Sequence, residues 1–267
     1  MGNIDSEIRE NINRTLARIE AEYKVEILFA VESGSRAWGF ESSDSDYDVR
    51  FVYRNEPKWY FNILPKRDVI ELPIVGLDDY SGWDIRKALF LLNKSNPALF
   101  EWLRSPIVYI ERAYETNLIR EAAKLYFSPI SSIYHYLHMA SGNNRDYLQG
   151  SQVRSKRYFY VLRPLLACMW IESRNESPPM EFEVLLDAAS ASTNFKDAVL
   201  RLLARKKASE ELGLEPPVAV ISEFIKEKIE YFEERTGSFD PAAKPDAEFL
   251  DDMLWKIAGS EPWHLKY

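Results

Sequence analysis

Gly34-Ser35-Arg36-Ala37-Trp38-Gly39-Phe40, followed after a short polar link by Asp46-Tyr47-Asp48-Val49-Arg50-Phe51-Val52-Tyr53, decides the reading of this chain. The apolar run Val25–Val31 precedes it and reads as a strand that ends at a Gly-Ser turn. The second stretch is rich in β-branched and aromatic residues, so Tyr47–Tyr53 reads as another strand. Side chains two apart on a strand share a face, which puts the Asp46 and Asp48 carboxylates side by side. Paired carboxylates repel each other, and a hard divalent cation is the usual relief. A Gly-Ser turn offers backbone N–H groups to phosphate oxygens. Together these residues point to a metal-bound triphosphate.

Working outward, Ile4, Ile8, Ile12, Leu16 and Ile19 recur at helical spacing, which predicts an amphipathic helix over residues 5–23. Val69–Val75 and Asp79–Asp84 read as a further strand pair, with Gly76 and Asp78 at the turn. Ile85–Leu92 is helical, and helical patterns dominate from about residue 113 onward, broken at Pro178-Pro179 and Pro216-Pro217. The fold class expected is α+β: a small mixed-sheet domain over residues 1–110, then a mainly helical domain over 111–267.

Composition bounds the reading further. The 267 residues are 46% hydrophobic with seven Trp and fifteen Tyr, enough for a substantial core. A formal net charge of −8 argues against wrapping duplex nucleic acid but allows a local basic site. Arg145, Arg154, Lys156, Arg157 and Arg163 gather against Asp146 in one such interval. The single cysteine, Cys168, lies in an apolar run and reads as core, which suits a reducing, cytoplasmic setting. No apolar run reaches the length of a membrane span. His135 and His138 share a helix face without a third ligand in view and read as structural, and the sequence has neither a P-loop nor a Gly-x-Ser-x-Gly motif.

The spacing of Gly34-Ser35 and Asp46-Tyr47-Asp48 resembles the signature of the DNA polymerase β-type nucleotidyltransferase superfamily. Glu32–Gly39, Gly82-Trp83-Asp84, Lys94-Ser95-Asn96-Pro97 and Lys156–Pro164 resemble its RNA-repair-associated branch. The resemblance implies Mg²⁺ or Mn²⁺ held by Asp46 and Asp48, an NTP (ATP by expectation), and transfer of its NMP to an acceptor hydroxyl with release of pyrophosphate. RNA 3′-ends fit the branch; a protein side chain or a small molecule is the chemical equivalent.

Nucleotidyl transfer also calls for a third carboxylate, which assists deprotonation of the attacking hydroxyl. Asp84 in Gly-Trp-Asp-Ile ranks first, also as a metal ligand, and Asp79 second; the competing role for Asp84 is a helix N-cap. Asp44 reads as a turn residue, and Glu32 has no assigned role. Ser35 and Gly34 are expected on the phosphates, with Arg36 adding a charge-assisted bond. Trp38 reads as core and Gly39 as a turn. Lys156, Tyr160 and Arg163, spaced four and three apart, are expected to share a helix face that closes the nucleotide site from the helical domain. Pro164 is expected to kink that helix or begin a new one. Lys94–Pro97 suits either a phosphate contact or a helix end.

Overall fold

The computed structural model describes residues 4–42, 45–208, 213–236 and 245–259; Asp44 lies outside them. Helix α1 (Ser6–Tyr23) starts where the Asp5 side chain accepts the Glu7 N–H at 2.8 Å. It leads into β1 (Glu26–Glu32), the one-turn helix α2 (Gly34–Ala37) and β2 (Tyr47–Arg54). Next come β3 (Val69–Glu71), β4 (Asp78–Asp84), α3 (Ile85–Asn93), α4 (Pro97–Leu103), β5 (Val108–Glu111) and α5 (Ala113–Tyr126). The chain continues through α6 (Pro129–Tyr147), β6 (Val153–Arg154), α7 (Tyr158–Arg174), α8 (Phe182–Ala188), α9 (Thr193–Lys207), β7 (Leu214–Glu215), α10 (Ala219–Thr236) and α11 (Glu248–Gly259).

Five strands form a mixed sheet in the order β3-β4-β2-β1-β5. β2 pairs antiparallel with β1 and parallel with β4. The α+β class is therefore as expected. The strand expected over 69–75 is shorter, closing at Glu71, with only a bridge from Val75 to Asp78 across the Gly76 turn. β5 had no strand signal strong enough to be read, because only four residues form it, three half-buried and one exposed.

Strand alternation gives the sheet two faces. Val49, Phe51 and Tyr53 point to α1, packing with Ile12, Leu16 and Ile19. Val52 points the other way, into a core shared with α3, α4, α5 and α11. A third core lies among α6 to α10. β5 closes at Glu111, and the helices that follow it are split between cores. Ile119, Ala122 and Tyr126 of α5, with Leu250, Met253 and Ile257 of α11, pack in the core of the sheet. Conversely, Phe40 from the first half is buried in the helical core. The sheet and the helical part thus meet at the segment that follows Gly34-Ser35.

Helix α7 runs unbroken through Pro164, where a kink or a new start was expected. A proline donates no N–H to the carbonyl four residues back. The Asn143 side-chain amide donates to that carbonyl, on Tyr160, at 3.0 Å. Cys168 is fully buried in this core, as expected. Lys94–Pro97 resolves as a helix junction. The Asn96 side chain caps α4 through the Ala98 N–H at 3.0 Å, and Pro97 occupies the first turn.

Candidate active site

β1 ends at Glu32, and the chain turns where the Ser33 N–H donates to the Asp48 carbonyl at 2.8 Å. Gly34 then adopts φ +57°, a region costly for other residues. A Cβ on Gly34 would stand 1.9 Å from Oδ2 of Asp48, so the turn has space for that carboxylate only because it is glycine. The first N–H groups of α2 have no intrahelical partner, which leaves them available at Gly34, Ser35 and Arg36. Gly39, at φ +80°, reverses the chain as expected. Trp38 packs against the helical core, edge-on to Tyr160 at 6.3 Å.

Arg36 has a different setting from the expected one. Its Nη2 donates to the Ser45 carbonyl at 2.7 Å and its Nε to the Asp46 carbonyl at 3.1 Å. Its guanidinium lies 3.8 Å over the Tyr47 ring. These contacts brace the entry to β2 and so position Asp46, which is exposed one residue before the strand.

The parallel register sets Asp79 of β4 directly beside Asp48 of β2. Between them Arg50, two residues on from Asp48, donates through Nη2 to Oδ1 of Asp48 at 2.9 Å and to Oδ2 of Asp79 at 2.7 Å. Burial pushes the Asp48 carboxyl up; Arg50 opposes this, whereas the charges of Asp79 and Asp46 add to it.

The same register corrects the ranking of the third carboxylate. Asp84 pairs with Tyr53, five residues along from the Asp48–Asp79 pair, which is roughly 16 Å at strand rise. Five is also an odd step, so alternation turns Asp84 to the opposite face. At the end of β4 it is fully buried and caps α3, accepting from the Arg86 N–H, the Asn55 amide and the Tyr60 hydroxyl at 2.8, 2.8 and 2.9 Å. Asp84→Asn turns an amide toward the Asn55 donor and is expected to cost roughly 1–3 kcal/mol of stability. The affinity for magnesium–ATP is expected to stay unchanged. Thermal melts and a nucleotide titration check both; a large loss of nucleotide affinity would restore Asp84 to the site.

The expected cationic strip also separates. Lys156 sits, exposed, in a 3-10 turn that ends before α7 begins, so it is off the helical register. Arg163 is buried, paired with Glu101 at 2.8 Å, and the same Glu101 oxygen accepts the Tyr136 hydroxyl. A buried ion pair of this kind is internal and has no free donor face for phosphate. Tyr160 alone of the three is exposed beside Trp38, with Arg157 stacked between it and Tyr147 at 5.5 and 4.2 Å.

Glu32, unassigned by sequence, is fully buried at the turn. One carboxylate oxygen accepts the Asp48 N–H at 2.8 Å and the other the Tyr109 hydroxyl at 2.5 Å. Burial pushes its carboxyl from 4.5 up to about 7. The folded chain then holds this proton more tightly than the unfolded chain, so stability falls as pH rises from about 4.5 to about 7 and levels off above. Glu32→Gln is expected to gain melting temperature over the parent at pH 8 and less at pH 5. An equal difference at both pH values would contradict this.

For a divalent ion, Oδ2 of Asp48 facing Gly34, with the repelling charge of Asp46 nearby, is a fitting donor set. Among the described residues no three His, Cys, Asp or Glu side chains form a ready metal cluster.

The site thus joins a glycine turn that cradles a strand carboxylate to a second carboxylate on the neighbouring strand. Residues 8–256 match the family described as the RNA repair pathway DNA polymerase beta family, and the chain belongs to it. It is 47% identical over 260 residues to the uncharacterized protein YcgL of Bacillus subtilis strain 168, covering 95% of this chain and all of that one. A crystal structure of a nucleotidyltransferase-like protein from Exiguobacterium sibiricum 255-15 aligns over 95% of this chain and 82% of its own. Its TM-score is 0.34 at 11% identity, too loose a likeness for a site comparison. No helix among the described residues is long and apolar enough to cross a membrane.

Proposed function

We propose that this protein transfers an NMP from an NTP, ATP by preference, to a hydroxyl of RNA, releasing pyrophosphate. The observation that carries the reading is the Asp48–Asp79 register against the glycine turn. Asp46 and Oδ2 of Asp48 would hold Mg²⁺, which supplies charge neutralisation at the phosphates. The Gly34-Ser35 turn binds phosphate oxygens through its free N–H groups. Asp79 accepts the proton of the attacking hydroxyl. As the acceptor oxygen bonds to the α-phosphorus, the bond from that phosphorus to the bridging oxygen breaks, and pyrophosphate takes the electron pair.

RNA as acceptor rests on the family and on one surface. Arg157 stacked between exposed Tyr147 and Tyr160, with Lys156 adjacent, joins cationic and aromatic groups, the pairing that holds single strands. Through Trp38 this surface connects to the turn carrying Ser35. The binding half of the proposal is tested by titrating ATP with Mg²⁺ and again in EDTA. Affinity at least about tenfold weaker in EDTA is expected, a difference of roughly 1.4 kcal/mol. Equal affinity in both conditions would remove the metal-triphosphate reading.

A further inference from the structure

Arg50 fills a gap between two carboxylates. Its Nη2 is within 2.9 Å of Oδ1 of Asp48 and 2.7 Å of Oδ2 of Asp79, while Nη1 donates to the Asp79 carbonyl at 3.0 Å and the Val49 carbonyl at 3.2 Å. The side chain is 18% exposed, withdrawn from solvent on a central strand. In a two-ion transfer site, the second ion would need carboxylates beside the first, and Asp48 with Asp79 would be the pair to bridge it. Here that bridge is a guanidinium, which keeps its charge at all working pH values. An ion entering between Asp48 and Asp79 would have to displace four hydrogen bonds.

Resting on the nucleotidyltransferase reading, we infer that Arg50 takes the place of the second divalent ion, making this a one-ion site. Arg50 takes Oδ1 of Asp48 and leaves Oδ2 to the ion that accompanies the nucleotide. By holding Oδ2 of Asp79 it also orients the carboxylate's other oxygen for the acceptor hydroxyl. Arg50 is thus a positioning residue with the charge of a cofactor.

The test counts Mn²⁺ by electron paramagnetic resonance on the full chain, with the non-transferable analogue α,β-methylene-ATP. One ion per chain is expected for the parent and for Arg50→Lys, and two for Arg50→Gln, whose gap is vacated. Two ions in the parent, or one in Arg50→Gln, would overturn the inference. No nucleotide-dependent ion in the parent would instead sink the nucleotidyltransferase reading beneath it. Thermal melts report whether Arg50→Gln folds. If it does not, Asp79→Asn decides: an unchanged ion affinity supports the one-ion site. A loss of about tenfold or more, the effect expected on removing a ligand or its close support, overturns it.

Discussion

Asp48→Asn is expected to abolish transfer, lowering turnover by about three orders of magnitude or more. That corresponds to roughly 4 kcal/mol of barrier, within what a bound metal ion supplies. The fold should survive, because the lost charge is one that burial and the neighbouring Asp46 and Asp79 already disfavour. Asparagine keeps the backbone N–H that Glu32 accepts and the carbonyl that Ser33 binds. Melting temperature should therefore hold or rise while radiolabel transfer disappears. Full activity in a folded Asp48→Asn protein would exclude this carboxylate from the chemistry.

Gly34→Ala should cost nearly as much by a different route. The added methyl would lie 1.9 Å from Oδ2 of Asp48 and 2.8 Å from its carboxyl carbon, far inside contact distance. The positive φ adds strain that alanine does not share with glycine. Relief requires the carboxylate to swing away or the turn to open, and either separates the candidate metal donor from the phosphate-facing N–H groups. Nucleotide affinity is expected to fall by about a hundredfold, with roughly 1–3 kcal/mol of stability lost. Isothermal titration and thermal melts read the two effects separately. Unimpaired magnesium–ATP binding would show that the turn and Asp48 act independently.

What could be read from sequence follows the range of the interactions. The Gly34 turn and the strand carrying Asp48 were legible because a turn and a strand's alternation are set by neighbouring residues, whereas Asp46, expected on that strand, comes one residue before it. The choice between Asp79 and Asp84 depended on parity and register. Their odd spacing already separated them onto two faces, but the likeness of Gly-Trp-Asp to a third-strand motif outweighed it. Gly82 in that motif has a packing reason instead: a Cβ there would meet the Phe51 ring at 2.1 Å. Arg163 could not be read, because its partner Glu101 lies on another helix and only tertiary packing brings them together. Arg50, inside the strand expected over Tyr47–Tyr53, carried no expected role. The available signal was its step of two from Asp48, which places cation and carboxylate on one face. α11 belongs to the core of the sheet although it follows the whole helical region, a long-range pairing that local periodicity does not encode.

The most direct measurement incubates the protein with Mg²⁺, α-labelled ATP and an RNA ending in a free 3′-hydroxyl. The account predicts label on the RNA, pyrophosphate released in equal amount, and neither product with Asp48→Asn or with a 3′-deoxy end. Label that stays with the nucleotide, or RNA labelled equally by the parent and by Asp48→Asn, would contradict it.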